Sequence, residues 1–162
     1  LYCNRFDAVP LAALQQLNEI TELDLSSNRL KELPPDLRLL KSLVVLDVRC
    51  NQLTTLGIEL ASLNNLREIH AQNNRLNTVS PKLLANPKIT VLKLHGNEFP
   101  YPVDILYGQW TSEKVDLSNR NMKALPNEIF LLERVKELYL QDNELTGISQ
   151  DIGKLQSLEV LD

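Results

Sequence analysis

Aromatic side chains are scarce: three Phe, four Tyr and one Trp in 162 residues. A core cannot rest on a few large rings here. It must come from many small apolar side chains, mostly leucine, in similar layers. Cysteine is scarcer still, at two. Cys3 and Cys50 form no CxxC pair, which excludes a disulfide framework. Asparagine is frequent, yet no Asn-x-Ser/Thr sequon occurs. Both points favour the cytosol or nucleus over secretion. An excess of positive charge is also missing. The net charge is -4, so no global basic field draws the chain to nucleic acid or an anionic membrane. No apolar run approaches the roughly 18 residues that span a bilayer. The chain opens at Leu1 without Met or a signal-like stretch. Gly-rich phosphate loops, GxSxG and HExxH are all absent. The reading is therefore of a chain that is not an enzyme, with no cofactor and no metal.

What is present is a repeat. Ile20, Leu23, Leu25, Asn28 and Leu30 follow the pattern L-x-x-L-x-L-x-x-N-x-L. It returns as Leu43, Leu46, Val48, Asn51 and Leu53, then as Leu66, Ile69, Ala71, Asn74 and Leu76, then as Ile89, Leu92, Leu94, Asn97 and Phe99. Each Asn lies 23 residues after the last. Arg120 holds the next position, within Val115, Leu117 and Met122. Val135, Leu138, Leu140, Asn143 and Leu145 restore the full form. Partial copies stand at Leu1, Asn4 and Phe6, and at Leu158 and Leu161. The second half of each repeat has its own pattern: Leu33, Pro34, Leu37 and Leu40, or Leu125, Pro126, Ile129 and Leu132. Gly57 takes the Pro slot between Leu56 and Leu60.

This is the signature of leucine-rich repeats. The L-P-x-x-L-x-x-L half and the 23-residue period resemble the intracellular Ras-group class, that of Ras–Raf scaffolds, Erbin, Scribble and the plant intracellular Ras-group proteins. The resemblance covers residues 1–162. It implies an α/β leucine-rich repeat solenoid.

The residues support the same architecture. The L-x-L core alternates with the two-residue period of a strand. Strands are expected near 23–25, 46–48, 69–71, 92–94, 115–117 and 138–140, in one parallel sheet. The Leu-Pro half returns the chain as short helices or helical turns. Strands stack about 4.8 Å apart and the helical side is thicker, so the stack curves with its sheet concave. Each Asn stands where the chain leaves the strand, and its carboxamide can pair backbone groups that would otherwise be orphaned. Both ends fall inside a repeat without a polar cap, so the array is expected to be truncated at both ends.

The pattern weakens near 99–114, a possible junction of two sub-arrays. Pro102, Gln109 and Ser112 occupy expected apolar slots. Phe99, Tyr101, Tyr107 and Trp110 hold half of the aromatics. Phe99–Pro102 with Gly96, Asn97 and Glu98, followed by Ile105 and Gly108, resembles a closing repeat. Val115–Met122 resembles an opening one. The aromatics either refill a core short of Leu or expose an anchor for a partner at Tyr107 and Trp110.

The concave face is built from the x positions. Its candidate partner-binding residues are Asp24, Asp47, Arg49, His70, Gln72, Lys93, His95, Asp116 and Tyr139. The centre reads as basic or neutral through Arg49, His70, Arg75, Lys93, His95 and Lys114. Glu22, Asp24, Asp47, Asp116, Glu137, Asp142 and Glu144 make the flanks acidic. Such a mixed surface suits protein recognition, with charge setting orientation and on-rate; any solenoid must also show polar residues to water. His70 and His95 fall on adjacent strands, but a zinc site needs three or four ligands. Cys3 and Cys50 lie two repeats apart, about 10 Å by strand spacing, beyond disulfide reach.

The expected function is a cytoplasmic protein–protein interaction module or scaffold in signalling. The Ras-group resemblance implies a small GTPase or signalling enzyme as partner, with no nucleic acid and no membrane insertion. The alternative is the targeting segment of a larger kinase, adenylate cyclase, phosphatase or ubiquitin ligase. A third reading is an extracellular or innate-immune receptor array, against which the missing sequons count.

Overall fold

The computed structural model describes residues 1–10, 19–99 and 112–162. The chain divides into two units, Leu1–Phe99 and Pro100–Asp162.

In chain order the described strands are β1 (Glu22–Asp24), β2 (Val45–Asp47), β3 (Thr55–Leu56), β4 (Glu68–His70), β5 (Thr78–Val79), β6 (Val91–Lys93), β7 (Lys114–Asp116), β8 (Glu137–Tyr139) and β9 (Val160–Leu161). In the first unit β1-β2-β4-β6 form a parallel sheet in strict 23-residue register: Leu23 opposite Leu46, Leu46 opposite Ile69, Ile69 opposite Leu92. In the second unit β7-β8-β9 form a parallel sheet with Val115 opposite Leu138 and Leu138 opposite Leu161. Among the described residues, the strands expected in a single sheet fall in two parallel sheets, one described in each unit. The apolar pattern lapses between them.

The strands begin and end one residue earlier than the pattern suggests. Leu25 still donates its amide to Asp47 O at 2.8 Å. Its carbonyl is taken instead by the side chains of Asn28 and Asn51, each at 3.0 Å. The regular strand exchange therefore stops at Asp24.

The asparagines do what the repeat requires. Asn74 Nδ2 donates to Val48 O at 3.0 Å and Ala71 O at 3.1 Å, while its Oδ1 accepts from Leu53 N at 3.0 Å. Asn51, Asn97 and Asn143 repeat the arrangement. Arg120 cannot supply it and is exposed. Its backbone N–H donates to Asn143 Oδ1 at 3.1 Å.

The residue before each ladder position turns the chain through the left-handed region: Ser27, Cys50, Asn73, Gly96, Asn119 and Asp142 all have φ between 54° and 70°. Asn, Asp and Gly tolerate this conformation; Ser and Cys tolerate it less.

The return halves are short helices, as expected. They are 3-10 turns after Pro34, Pro126 and Ser149 (Pro35–Leu39, Asn127–Leu131, Gln150–Lys154) and single α turns after Gly57 and Ser80 (Ile58–Ala61, Pro81–Leu84). The small β3-β5 sheet was not foreseen. It forms where no proline blocks it: the Ser80 amide donates to Leu56 O at 2.8 Å, a bond for which Pro34 and Pro126 lack the N–H. Between sheet and helices the leucines are sealed. Leu46, Leu53, Leu56, Leu60, Leu63 and Leu66 are 0% exposed, each contributing about 1.5–3 kcal/mol by burial. Val115, Met122, Ile129, Phe130, Val135 and Leu138 form the core of the second unit.

Candidate functional site

With the central residue buried, β1, β2, β4, β6, β7 and β8 each present their flanking side chains on the outward face of the sheet. In the first unit this places Asp24, Asp47, His70 and Lys93 side by side, each paired in register with the next. Glu22, Val45, Glu68 and Val91 form a second row beside them. Backbone bonds from Ser27 to Arg49, Cys50 to Gln72 and Asn73 to His95 continue the register past the strand ends. A row of acid, acid, imidazole and amine is thus built into one rigid sheet.

Several of these charges are satisfied locally. Asp24 Oδ1 accepts from Ser26 N at 2.8 Å and Ser26 Oγ at 2.6 Å. Burial pushes its carboxyl up, but the Ser26 hydroxyl and amide, with Arg49 nearby, outweigh this and hold it below its ordinary value. Arg49 Nε lies 3.2 Å from Asp47 Oδ2, and Asp47 Oδ1 accepts the Arg49 amide at 3.1 Å. His70 Nε2 stands 3.4 Å from Glu68 Oε2. The basic centre is therefore narrower than the sequence implies. Lys93 and His95 are exposed and have no side-chain hydrogen bond or ion pair among the described residues.

Gln72 differs from its expected place. It is buried at 7% exposure, and its Oε1 has no hydrogen-bond partner among the described residues. Its position lies where the strand bends into the turn. Ser26 is likewise covered at the equivalent position, at 1% exposure, whereas Arg49, His95 and Gln141 reach solvent.

In the second unit Asp116 is exposed, and its Oδ1 accepts from Ser118 Oγ at 2.5 Å and Ser118 N at 3.0 Å. The hydroxyl and then the amide of Ser118 hold its carboxyl low. Half-buried Tyr139 donates its hydroxyl to Glu137 Oε2 at 3.0 Å. Lys114 Nζ sits 4.5 Å from the Tyr139 ring centre and 3.3 Å from Glu137 Oε2. Hydrogen bonds from Tyr139 and Lys114 lower Glu137; the bond to Glu137 and the charges of Tyr139 and Glu137 raise Lys114. Tyr107 and Trp110 lie outside the described residues.

The sequence reading named the face but not its internal pairs. Arg49 with Asp47, His70 with Glu68 and Tyr139 with Glu137 all stand two residues apart on one strand face, a spacing that signals such contacts. Among the described residues, no three or more His, Cys, Asp or Glu are gathered as a metal site, and no helix is long and apolar enough to cross a membrane. Cys3 and Cys50 are free and exposed. Chemically the arrangement offers charged and aromatic groups on an open sheet face.

Residues 18–62 match the family model for Leucine Rich repeats (2 copies). The geranylgeranyl transferase type-2 subunit alpha of Bos taurus is 39% identical over 98 residues, which are 60% of this chain and 17% of that protein. The CCR4-Not complex 3'-5'-exoribonuclease subunit Ccr4 of Neurospora crassa is 32% identical over 63 residues, 39% of this chain and 8% of that protein. The chain thus spans under a fifth of either curated relative. Among solved structures, an LRR protein of Leptospira interrogans matches with a TM-score of 0.51 and 28% identity, over 100% of this chain and 47% of that one. A chain of the Toll–Spatzle complex of Drosophila matches with a TM-score of 0.59 and 29% identity, over 96% of this chain and 22% of that one.

Proposed function

Because the chain is a leucine-rich repeat protein, we propose that it is a protein-interaction module or scaffold of intracellular signalling that holds a partner on the outward, concave face of its strands. Leucine-rich repeats generally mediate contacts between proteins, and one matched structure is a complex of two proteins. The observation that carries the reading here is the in-register row Asp24, Asp47, His70 and Lys93 on a sheet fixed from behind by sealed leucines. Rigid elements bearing varied polar groups give recognition without folding on contact. The Ras-group form of the return halves points to a small GTPase or signalling enzyme as partner. Catalysis is not part of the proposal: the carboxylates lie on an open surface.

A second reading has its own support. Both curated relatives are subunits named for enzymes, matched over a small share of their length. The repeats then serve as the targeting or regulatory segment of a larger enzyme. The two relatives are a transferase subunit and an exoribonuclease subunit, not the kinase, cyclase, phosphatase or ligase classes weighed from sequence.

The test is affinity capture with the intact protein, followed by reconstitution with the purified partner. Charge reversal at Arg49 and Lys93 together is expected to slow association, with an effect that shrinks as salt rises. Loss of binding on substituting Tyr107 and Trp110 in a folded chain, with no effect of the reversals, contradicts the face.

A further inference from the structure

The four-stranded sheet lets the outward charges be followed strand by strand. On the two middle strands the bases are answered at home: Arg49 by Asp47 at 3.2 Å, His70 by Glu68 at 3.4 Å. The outer strands differ. Glu22 on β1 is exposed and has no hydrogen-bond or ion-pair partner among the described residues. Beside it, Asp24 is held in its ionised form by Ser26 but has no cation within ion-pair distance. On β6, Lys93 is equally free, as is His95 just beyond it. The face therefore has a middle whose side chains pair with one another and two unanswered ends, carboxylates on β1 and an ammonium on β6. Three strand spacings separate the ends, about 14 Å. Between and beside them Val45 and Val91 stand half-buried in the row that starts at Glu22.

Resting on the reading that this face binds protein, we propose that it takes one partner segment in a fixed direction across the strands. The segment places a cation against Glu22 and Asp24, an anion against Lys93 and His95, and an apolar side chain over the valines. Charge complementarity decides the direction. Turned end for end, the same segment meets like charges at both ends and loses the two contacts that the sheet cannot satisfy itself. The self-paired middle adds little preference, because its charges already have partners. A helical segment covers the distance in about nine or ten residues at 1.5 Å each.

The test uses a synthetic helical peptide with a Glu pair in its first turn and a Lys pair about ten residues later, an order that also suits the helix dipole. A nitroxide is attached at the Glu end, and the isotopically labelled full chain is observed by NMR. The expected result is stronger broadening of the Lys93 and His95 amides than of those of Glu22 and Asp24. In the Glu22→Lys, Lys93→Glu double variant the broadening moves towards β1. Both side chains are exposed, so the exchange spares the core. Equal broadening at both ends, a pattern the exchange does not alter, or no binding of the peptide overturns the proposal. The captured partner separates this from the reading beneath it. If the partner still covers this face but binds native and exchanged chains equally, the direction alone falls. If it covers another surface, the reading itself falls.

Discussion

Asn74 and Leu53, 21 residues apart, are joined by a hydrogen bond of 3.0 Å from the Leu53 amide to the Asn74 side-chain oxygen. The same carboxamide donates to carbonyls of its own repeat and the one before. One side chain thus completes the backbone pairing of two turns of the stack. Asn74→Ala leaves these buried groups without partners and is expected to lower stability by about 1–3 kcal/mol for each group stranded. Arg120→Asn gives the contrast. That site is exposed and lacks the ladder residue, so restoring Asn is expected to cost nothing. Denaturant melts measure both.

Leu46 is 0% exposed and stands between Leu23 and Ile69 in the sheet register. Leu46→Ala is expected to cost about 2–5 kcal/mol through lost burial and a residual cavity. Leu92, at 7% exposure, is expected at the lower end of that range. A shift in melting midpoint without a change in slope checks both.

Cys50 and Gly96 occupy the same turn of the repeat, with φ of 55° and 70°. Cys50→Asn places a residue that accepts this region and is expected to stabilise by up to about 1 kcal/mol. Gly96→Ala acts in reverse: its Cβ would collide with Asn73 Oδ1, and the left-handed backbone itself costs about 1–2 kcal/mol for an L side chain. Thermal melts of the pair are expected to move in opposite directions.

Gln72 buries an oxygen that nothing among the described residues answers. Gln72→Leu removes the orphan and is expected to be neutral or to stabilise by about 1–3 kcal/mol. If instead the variant melts earlier by a comparable amount, the carboxamide has a structural partner that this account omits.

The pH dependence follows from the second unit. Asp116 and Glu137 are lowered in the folded chain, so their contribution is present above their ordinary values of 3.8 and 4.5 and is lost as pH falls through their folded values. Lys114 is raised. Its contribution is full below its ordinary value of 10.5 and is lost as pH rises through the folded one. Glu137→Gln is expected to flatten both limbs, since Glu137 accepts from Tyr139 and pairs with Lys114. Urea melts across pH read this directly.

Much of the fold was legible because the repeat states it many times. The spacing of Leu23, Leu46, Ile69 and Leu92 dictates both register and core, and the Asn positions dictate the ladder. Strand ends were less legible, because a side chain, Asn28 or Asn51, rather than the backbone stops the pairing at Leu25. The β3-β5 sheet depends on the absence of proline at Gly57 and Ser80 rather than on any strand motif. The site was legible as a face but not as a charge pattern. A residue list gives Arg49 and His70 the same weight as Lys93; only geometry shows that the first two are already paired.

Lysine footprinting of the reconstituted complex distinguishes a partner on the strands from one on the returning helices. Lys93 lies on the outward strand face, and Lys82 on the returning helix Pro81–Leu84; both are exposed. Bound partner is expected to shield Lys93 from acylation while Lys82 reacts as in the free chain. Shielding of Lys82 with Lys93 unchanged contradicts the account.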